Sequence, residues 1–268
     1  MCSGGREVGA DVSRDSAARA FVVDIGAAAN RRHAIPAWFR ADVTDVLPRL
    51  HGPDGASSPE SRGTVTTYVV ATLARTVARH PRVHALRDLR GRVVTFDSVD
   101  VTVSVEVLID GQPFPMNHVL RSAQAASVAQ LTDELHAAKS TPHSSQTTRL
   151  ADKARWFLVL PRPVRTRLLA TMHRLPDLQR RLVGTVGVTS VGMFGQGGGL
   201  GLPFLVHTLD VLVGGLEERP AFDRHGALVR RQFLSIALVA DHDVVDGAPL
   251  ARFVADLRDD LESGAALP

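Results

Sequence analysis

The chain has 268 residues, 44% of them hydrophobic and 22% charged, an ordinary globular composition with ample length for one large core. A formal charge of +3 is too small to argue for a nucleic-acid partner, and none is expected. One cysteine, Cys2, excludes a disulfide framework or a cysteine zinc site within one chain.

The length favours one large domain of α/β type. The first residues have no apolar signal core, and no apolar run is long enough to span a bilayer. The expected location is the reducing cytoplasm. Residues 1–20, rich in Gly, Ser, Ala and charge, read as a flexible tail. Phe21 to Ile25 is a short apolar run. Ile35 to Val43 reads as a strand, with Thr44 capping a short helix after it. Residues 51–63 have loop composition. Thr64 to Arg79 is periodic enough for a helix ended by Pro81, although its β-branched residues compete with that reading. Val93 to Phe96 and Val99 to Ile109 read as strands, and Asp110-Gly111 is a hairpin signal.

Residues 139–149 form a polar linker. From Leu150 to Leu182 the chain carries Lys153, Arg155, Arg162, Arg165, Arg167, Arg174, Arg180 and Arg181 against Asp152 and Asp177. Apolar residues, including Leu168, Leu169 and Met172, lie between them. One reading is a basic amphipathic surface for a membrane or an acidic partner. The other, which the usual behaviour of charge runs favours, is a helical pair with its apolar face packed and its arginines solvated. The Gly-rich loop Gln196 to Gly201 has strand-like residues on both sides, so it does not fit a nucleotide-binding strand–loop–helix. Phe204 to Val213 and Leu228 to Ala240 read as strands.

The last of these strands runs into Asp241-His242-Asp243-Val244-Val245-Asp246-Gly247. After it come Leu250, Phe253, Val254, Leu257 and Leu261, spaced on one face of a helix. His242 therefore sits where a buried strand stops, a place where rigid elements hold functional side chains. Gly247 is expected to let the backbone bend. His33, His51, His80, His84 and His118 show no metal spacing, and no metal is expected.

The pattern His-x-x-x-Asp-Gly, His242 to Gly247, resembles the active-site motif of the acyltransferase (E2) catalytic domains of 2-oxoacid dehydrogenase complexes. These share a fold with chloramphenicol acetyltransferase. That enzyme, and the condensation domains of peptide synthetases, usually carry a second histidine where this chain has Asp241, so the motif leans towards E2. Gly192-Met193-Phe194-Gly195 is similar to a second E2 motif. Aligned on it, the family's active-site serine falls on Thr189, and Ser190 takes the next position. Ala126 to Ala138 is similar to an E2 helix.

The resemblance implies a chloramphenicol acetyltransferase-like α/β fold, with a mixed β-sheet flanked by helices. It implies a homotrimer with the active site between subunits. Residues 21–268 would be one such domain, with a basic insertion at about 140–182 and no lipoyl group on this chain. His242 would be the general base, and Thr189 or Ser190 would donate a hydroxyl to the oxyanion. Asp246 would be structural, paired with an arginine near the first strand, for which Arg31, Arg32 and Arg40 are candidates. Asp243 stands where E2 often has arginine. The acyl donor would be coenzyme A-bound. The acceptor would be a small molecule with a hydroxyl, amine or thiol, or a carrier protein, with natural-product biosynthesis as one setting. Two alternatives stand beside this. One is a dihydrolipoamide acyltransferase acting on a separate lipoyl protein. The other is a non-catalytic trimeric scaffold working through residues 150–182.

Overall fold

The structure, a computed structural model, describes residues 17–51, 63–109, 112–140, 157, 159–191, 199–223 and 225–268. Six strands form one sheet: β1 (Ala34–Asp42), β4 (Val101–Ile109), β5 (Gln112–Leu120), β6 (Val186–Ser190), β7 (Leu209–Phe222) and β8 (Leu228–Asp241). Their order is β1-β8-β7-β6-β4-β5. β6 runs parallel to β4 and β7, and the other pairings are antiparallel, so the sheet is mixed as expected. A separate two-stranded ladder joins β2 (Leu86–Arg87) and β3 (Val93–Val94). The helices are α1 (Ala17–Ala29), α2 (Leu47–His51), α3 (Val65–Arg79), α4 (Val128–Ser140), α5 (Arg162–Met172), α6 (Pro176–Val183) and α7 (Gly247–Ser263).

α3 forms in spite of its β-branched residues because its ends and its hydroxyls are satisfied. Thr64 and Thr67 make a reciprocal capping box, each side chain accepting from the other's backbone N–H at 3.2 and 2.9 Å. The buried Thr72 and Thr76 donate to the carbonyls four residues back, at 2.9 and 3.0 Å. The helix can therefore be buried almost all round, between the sheet and its neighbours. α7 packs on α3 and β1 through Leu250, Phe253, Leu257 and Leu261, the stripe legible in the sequence. Tyr68 Oη, buried, donates to the Leu261 carbonyl at 2.7 Å and ties the two helices together.

β8 lies between β1 and β7 and is covered on both faces. Leu234, Ile236, Leu238 and Ala240 join the core under the helices. Ser235, Ala237, Val239 and Asp241 point the other way and are buried too. That is why its sequence reads as a nearly continuous apolar run.

Several expectations change. Residues 17–20 belong to α1. The helix is held by Asp24, 1% exposed, whose carboxylate lies 2.7 Å from Arg165 Nε and 3.4 Å from Arg162 Nε on α5. Local composition cannot show an ion pair formed across the fold. Thr44 does not cap α2, which starts at Leu47. It donates to Asp42 Oδ1 at 2.6 Å and accepts from Gln232 N at 2.7 Å, closing the end of β1 on β8. β7 runs on to Phe222 through the segment read as a connection, with an irregularity in register between Val213 and Leu216. There, a Cβ on Gly214 would lie 2.5 Å from the Gly199 carbonyl. The hairpin signal at Asp110-Gly111 lies outside the described residues, and Ile109 pairs with Gln112 around it.

The basic stretch forms the helical pair α5 and α6 among its described residues. Thr166, Leu169, His173 and Gln179 are buried, and Arg167, Arg174 and Arg181 are exposed. Val164, Leu168, Leu175 and Leu178 also remain exposed. No helix among the described residues is long and apolar enough to cross a membrane.

Candidate active site

The site is built where β8 ends. The antiparallel register of β1 and β8 sets Ala34 opposite Asp241, and His242 N continues the ladder by donating to the His33 carbonyl at 2.8 Å. Asp241 N donates to the Thr208 carbonyl at 2.9 Å. The chain then turns. The Asp241 carbonyl accepts from Val244 N at 3.0 Å and from Val245 N at 2.9 Å, and Asp241 Oδ1 accepts from Asp243 N at 3.0 Å. Val244 and Val245 are buried, so they pin the turn inward and leave His242 exposed on its outer side.

Three further groups anchor this turn. Arg87 on β2 donates from Nε and Nη2 to the Asp243 carbonyl, at 3.1 and 2.6 Å. Asp243 Oδ1 meets His33 Nδ1 at 2.9 Å, and that bond raises the pKa of the His33 imidazole above its ordinary value. Arg32 Nε lies 3.6 Å from Asp241 Oδ2, and Arg32 Nη1 donates to the His207 carbonyl at 2.7 Å. Burial raises the Asp241 carboxyl above its usual value while Arg32 pulls it down. Burial likewise lowers Arg32.

The arginine partner expected for Asp246 is therefore seen on Asp241. Arg32 precedes β1, whose register brings it alongside Asp241 on the buried side. Asp246 lies past the turn on the exposed side. It begins α7 through its backbone, its side chain makes no capping hydrogen bond, and it has no ion pair among the described residues. Arg40 pairs with Glu217 at 3.8 Å. The expected bend at Gly247 is also not seen. Its φ is outside the left-handed region, and a Cβ there would meet nothing within 4 Å.

Beneath the Arg32 contact lies a polar pair that the sequence did not reveal. His207 Nδ1 meets Asp210 Oδ1 at 2.7 Å, and Asp210 Oδ2 accepts from Val206 N and His207 N, each at 2.7 Å. Both residues are buried. A histidine three residues before an aspartate at a strand start is the only local sign of it. Asp100, also buried, accepts from Arg121 at 2.9 Å and from Arg180 at 3.0 Å. A cavity of about 350 Å³ lies among these three residues, Ser122, Asp177 and Arg181. Arg121 also donates to the carbonyls of Arg180 and Arg181, at 2.7 Å each, so its guanidinium is already engaged.

Thr189 and Ser190 close β6 and face opposite sides of the sheet, as successive strand residues must. Val186 and Val188 belong to the core, and Ser190 shares their side. Its Oγ accepts from Thr66 Oγ1, at the start of α3, at 3.0 Å. Thr189 faces the other way, and its hydroxyl has no hydrogen bond among the described residues. Gly192 to Gly195, the second motif, lie outside the described residues.

The chain does not bring His242 and Thr189 together. Thr189 pairs with Leu212, and Leu212 with Ala237. His242 is five positions further along β8 and two strands across. At ~3.3 Å per residue and ~4.8 Å per strand, the two Cα atoms are roughly 19 Å apart. Among the described residues no three His, Cys, Asp or Glu side chains are grouped to hold a metal.

Residues 166–267 match the family model of the 2-oxoacid dehydrogenases acyltransferase (catalytic domain). The match starts inside α5. The acetyltransferase component of the pyruvate dehydrogenase complex of Mycoplasma pneumoniae is 31% identical over 120 residues, which is 44% of this chain and 27% of that protein. The corresponding component of Corynebacterium glutamicum is 24% identical over 212 residues, 76% of this chain and 26% of that protein. The chain thus spans about a quarter of the length of these two relatives. Among solved structures, the cubic core of a pyruvate dehydrogenase multienzyme complex has a TM-score of 0.65 at 18% identity, covering 94% of this chain and 92% of that one. The dihydrolipoamide acetyltransferase of Azotobacter vinelandii gives 0.67 at 16% identity with the same coverages. A serine, a histidine and, four residues after it, an asparagine have been investigated in that enzyme's catalytic mechanism. The fold is that of these cores, and the resemblance carried by the His242 motif is matched in sequence and in fold.

Proposed function

We propose that this chain is an E2-type acyltransferase in which His242 is the general base and the acyl donor is an acyl-coenzyme A. The observation that carries this reading is the exposed His242 on a turn pinned at the end of β8, within the fold of E2 cores. An imidazole suits proton abstraction near neutral pH. It takes the proton of an acceptor S–H or O–H as that atom attacks the thioester carbonyl. A tetrahedral oxyanion forms, collapse breaks the carbon–sulfur bond, and the proton passes to the leaving coenzyme A thiolate.

Thr189 is the better oxyanion donor of the two candidates. Its hydroxyl is unengaged among the described residues, whereas Ser190 is tied to Thr66. The distance of roughly 19 Å between Thr189 and His242 within one chain supports a site completed between neighbouring copies of a homotrimer, the histidine from one and the hydroxyl from the next. Asp246 stands at the spacing of the asparagine in the Azotobacter enzyme. The acceptor in this reading is a small molecule with a hydroxyl, amine or thiol, or a carrier protein. Dihydrolipoamide on a separate lipoyl protein is the alternative acceptor.

Free-thiol release from a panel of acyl-coenzyme A donors tests this, with dihydrolipoamide, a hydroxyl acceptor or no acceptor, on the wild type and His242→Ala. Turnover lost in the variant is the expected result. Absence of turnover across the panel, with no binding of coenzyme A in a direct titration, overturns it. The second reading, a scaffold, is favoured by the exposed Val164 and Leu168 on α5, Leu178 on α6 and Leu175 just before it. It predicts that His242→Ala leaves function intact.

A further inference from the structure

One buried ion pair, Arg32 with Asp241, lies at the base of the turn that carries His242, and we infer that Arg32 and Asp241 are positioning residues for the imidazole. This rests on the reading of His242 as the base. It assigns to Asp241 the arginine-paired role that the family resemblance gives to Asp246.

Asp241 precedes His242 directly, and it organises the turn with its backbone and its side chain. Its carbonyl receives Val244 N and Val245 N, and its Oδ1 receives Asp243 N. Its Oδ2 faces Arg32 Nε at 3.6 Å. The side chains of Arg32 and Asp241 are only 13% and 8% exposed, so their charges are poorly screened by water. Arg32 is itself fixed, since Nη1 donates to the His207 carbonyl. The N–H groups of Val206 and His207 are held by Asp210. A continuous set of fixed groups therefore runs from Asp210 through the 206–207 backbone and Arg32 to Asp241 and the turn. His33, Asp243 and Arg87 are other charged or titratable groups beside the turn, and Arg87 donates to the Asp243 backbone carbonyl. His33 and Asp243 bond each other on its exposed side, and among the described residues Arg32 is the basic side chain paired with Asp241. Asp246 is exposed and makes no ion pair among the described residues.

Removing either charge leaves the other buried and uncompensated, which is worse than removing both. The test is a double-mutant cycle of Arg32→Met, Asp241→Asn and the pair together. Asp241→Asn is nearly isosteric and keeps an acceptor for Asp243 N, and the double variant buries no lone charge, so at least one of them folds. Each is read by kcat and KM for acyl-coenzyme A turnover. Each is also read by the imidazole NMR signal of His242, identified by its loss in His242→Gln.

The expected result is a fall in kcat of about tenfold to a hundredfold in each single variant, with KM within a few-fold, because a misplaced base costs rate more than binding. The double variant falls no further than the worse single variant. The sharp His242 signal splits or broadens in all three. If kcat stays within twofold and the His242 signal is unchanged, the inference is wrong and the acyltransferase reading stands. If the wild type turns over no acyl-coenzyme A, that reading fails, and the His242 signal alone decides whether Arg32 and Asp241 hold the turn.

Discussion

Thr66 Oγ1 lies 3.0 Å from Ser190 Oγ, so the hydroxyl of Ser190 is held by α3 while its neighbour Thr189 faces the opposite side of the sheet. If Thr189 stabilises the oxyanion, Thr189→Ala should lower kcat by about a hundredfold to a thousandfold, the usual effect of losing one such donor. Thr189→Ser should restore most of it. Ser190→Ala should change kcat by no more than a few-fold. Steady-state kinetics on the three variants check this, and equal losses in Thr189→Ala and Ser190→Ala would mean that the choice between the hydroxyls is wrong.

Asp24 should be worth far more to stability than a surface carboxylate. It is buried with Arg165 and Arg162 around it, and its Oδ1 makes no hydrogen bond. Asp24→Ala removes the buried carboxylate that faces Arg165 Nε and should cost about 3 kcal/mol, by the behaviour of broken buried pairs. Asp24→Leu combined with Arg165→Met should recover part of that loss. Urea unfolding of both proteins measures the difference, and a loss under about 0.5 kcal/mol for Asp24→Ala would show that α1 is not anchored there.

Stability should fall in mild acid because of two buried histidines. Burial pushes His84 and His173 down to about 4. Asp100 opposes this shift at His84, and the bond to Gln179 opposes it at His173. Each is neutral when folded, and when unfolded each titrates near 6.5. The unfolded chain therefore binds more protons between these values. Their contribution is complete above about pH 6.5 and is lost as pH falls towards 4, at most ~3 kcal/mol for each. Denaturant unfolding at pH 7 and pH 5 should show this loss, and His173→Gln should flatten the dependence.

Two glycines should respond in opposite ways. A Cβ on Gly187 would run into the Asp210 carboxylate and lie 2.6 Å from His207 Nδ1, so Gly187→Ala should destabilise by about 1–3 kcal/mol through forced repacking. Gly247→Ala adds a methyl into open space at the first residue of α7 and should be neutral or stabilise by a few tenths of a kcal/mol. Thermal melts of both variants separate the cases. A marked loss for Gly247→Ala would restore the bending role that its place in the motif suggested.

The features legible in the amino-acid order are mostly local and periodic. The α7 stripe from Leu250 to Leu261 and the long apolar run of β8 each announce their own structure, and the periodicity of Thr64 to Arg79 indicates a helix against the pull of its β-branched residues. Their side-chain spacing records which faces are buried. The His242 motif was legible because a strand, a turn and a helix follow one another within a few residues. The partners brought from far along the chain emerge only once the chain is folded. Asp241, not Asp246, meets Arg32. Asp24 meets Arg165, and His207 sits under the turn that β8 carries. Such pairs depend on which distant elements are brought side by side, and the residues nearby do not record that. The separation of Thr189 from His242 has the same cause, since it follows from the order and direction of β6, β7 and β8.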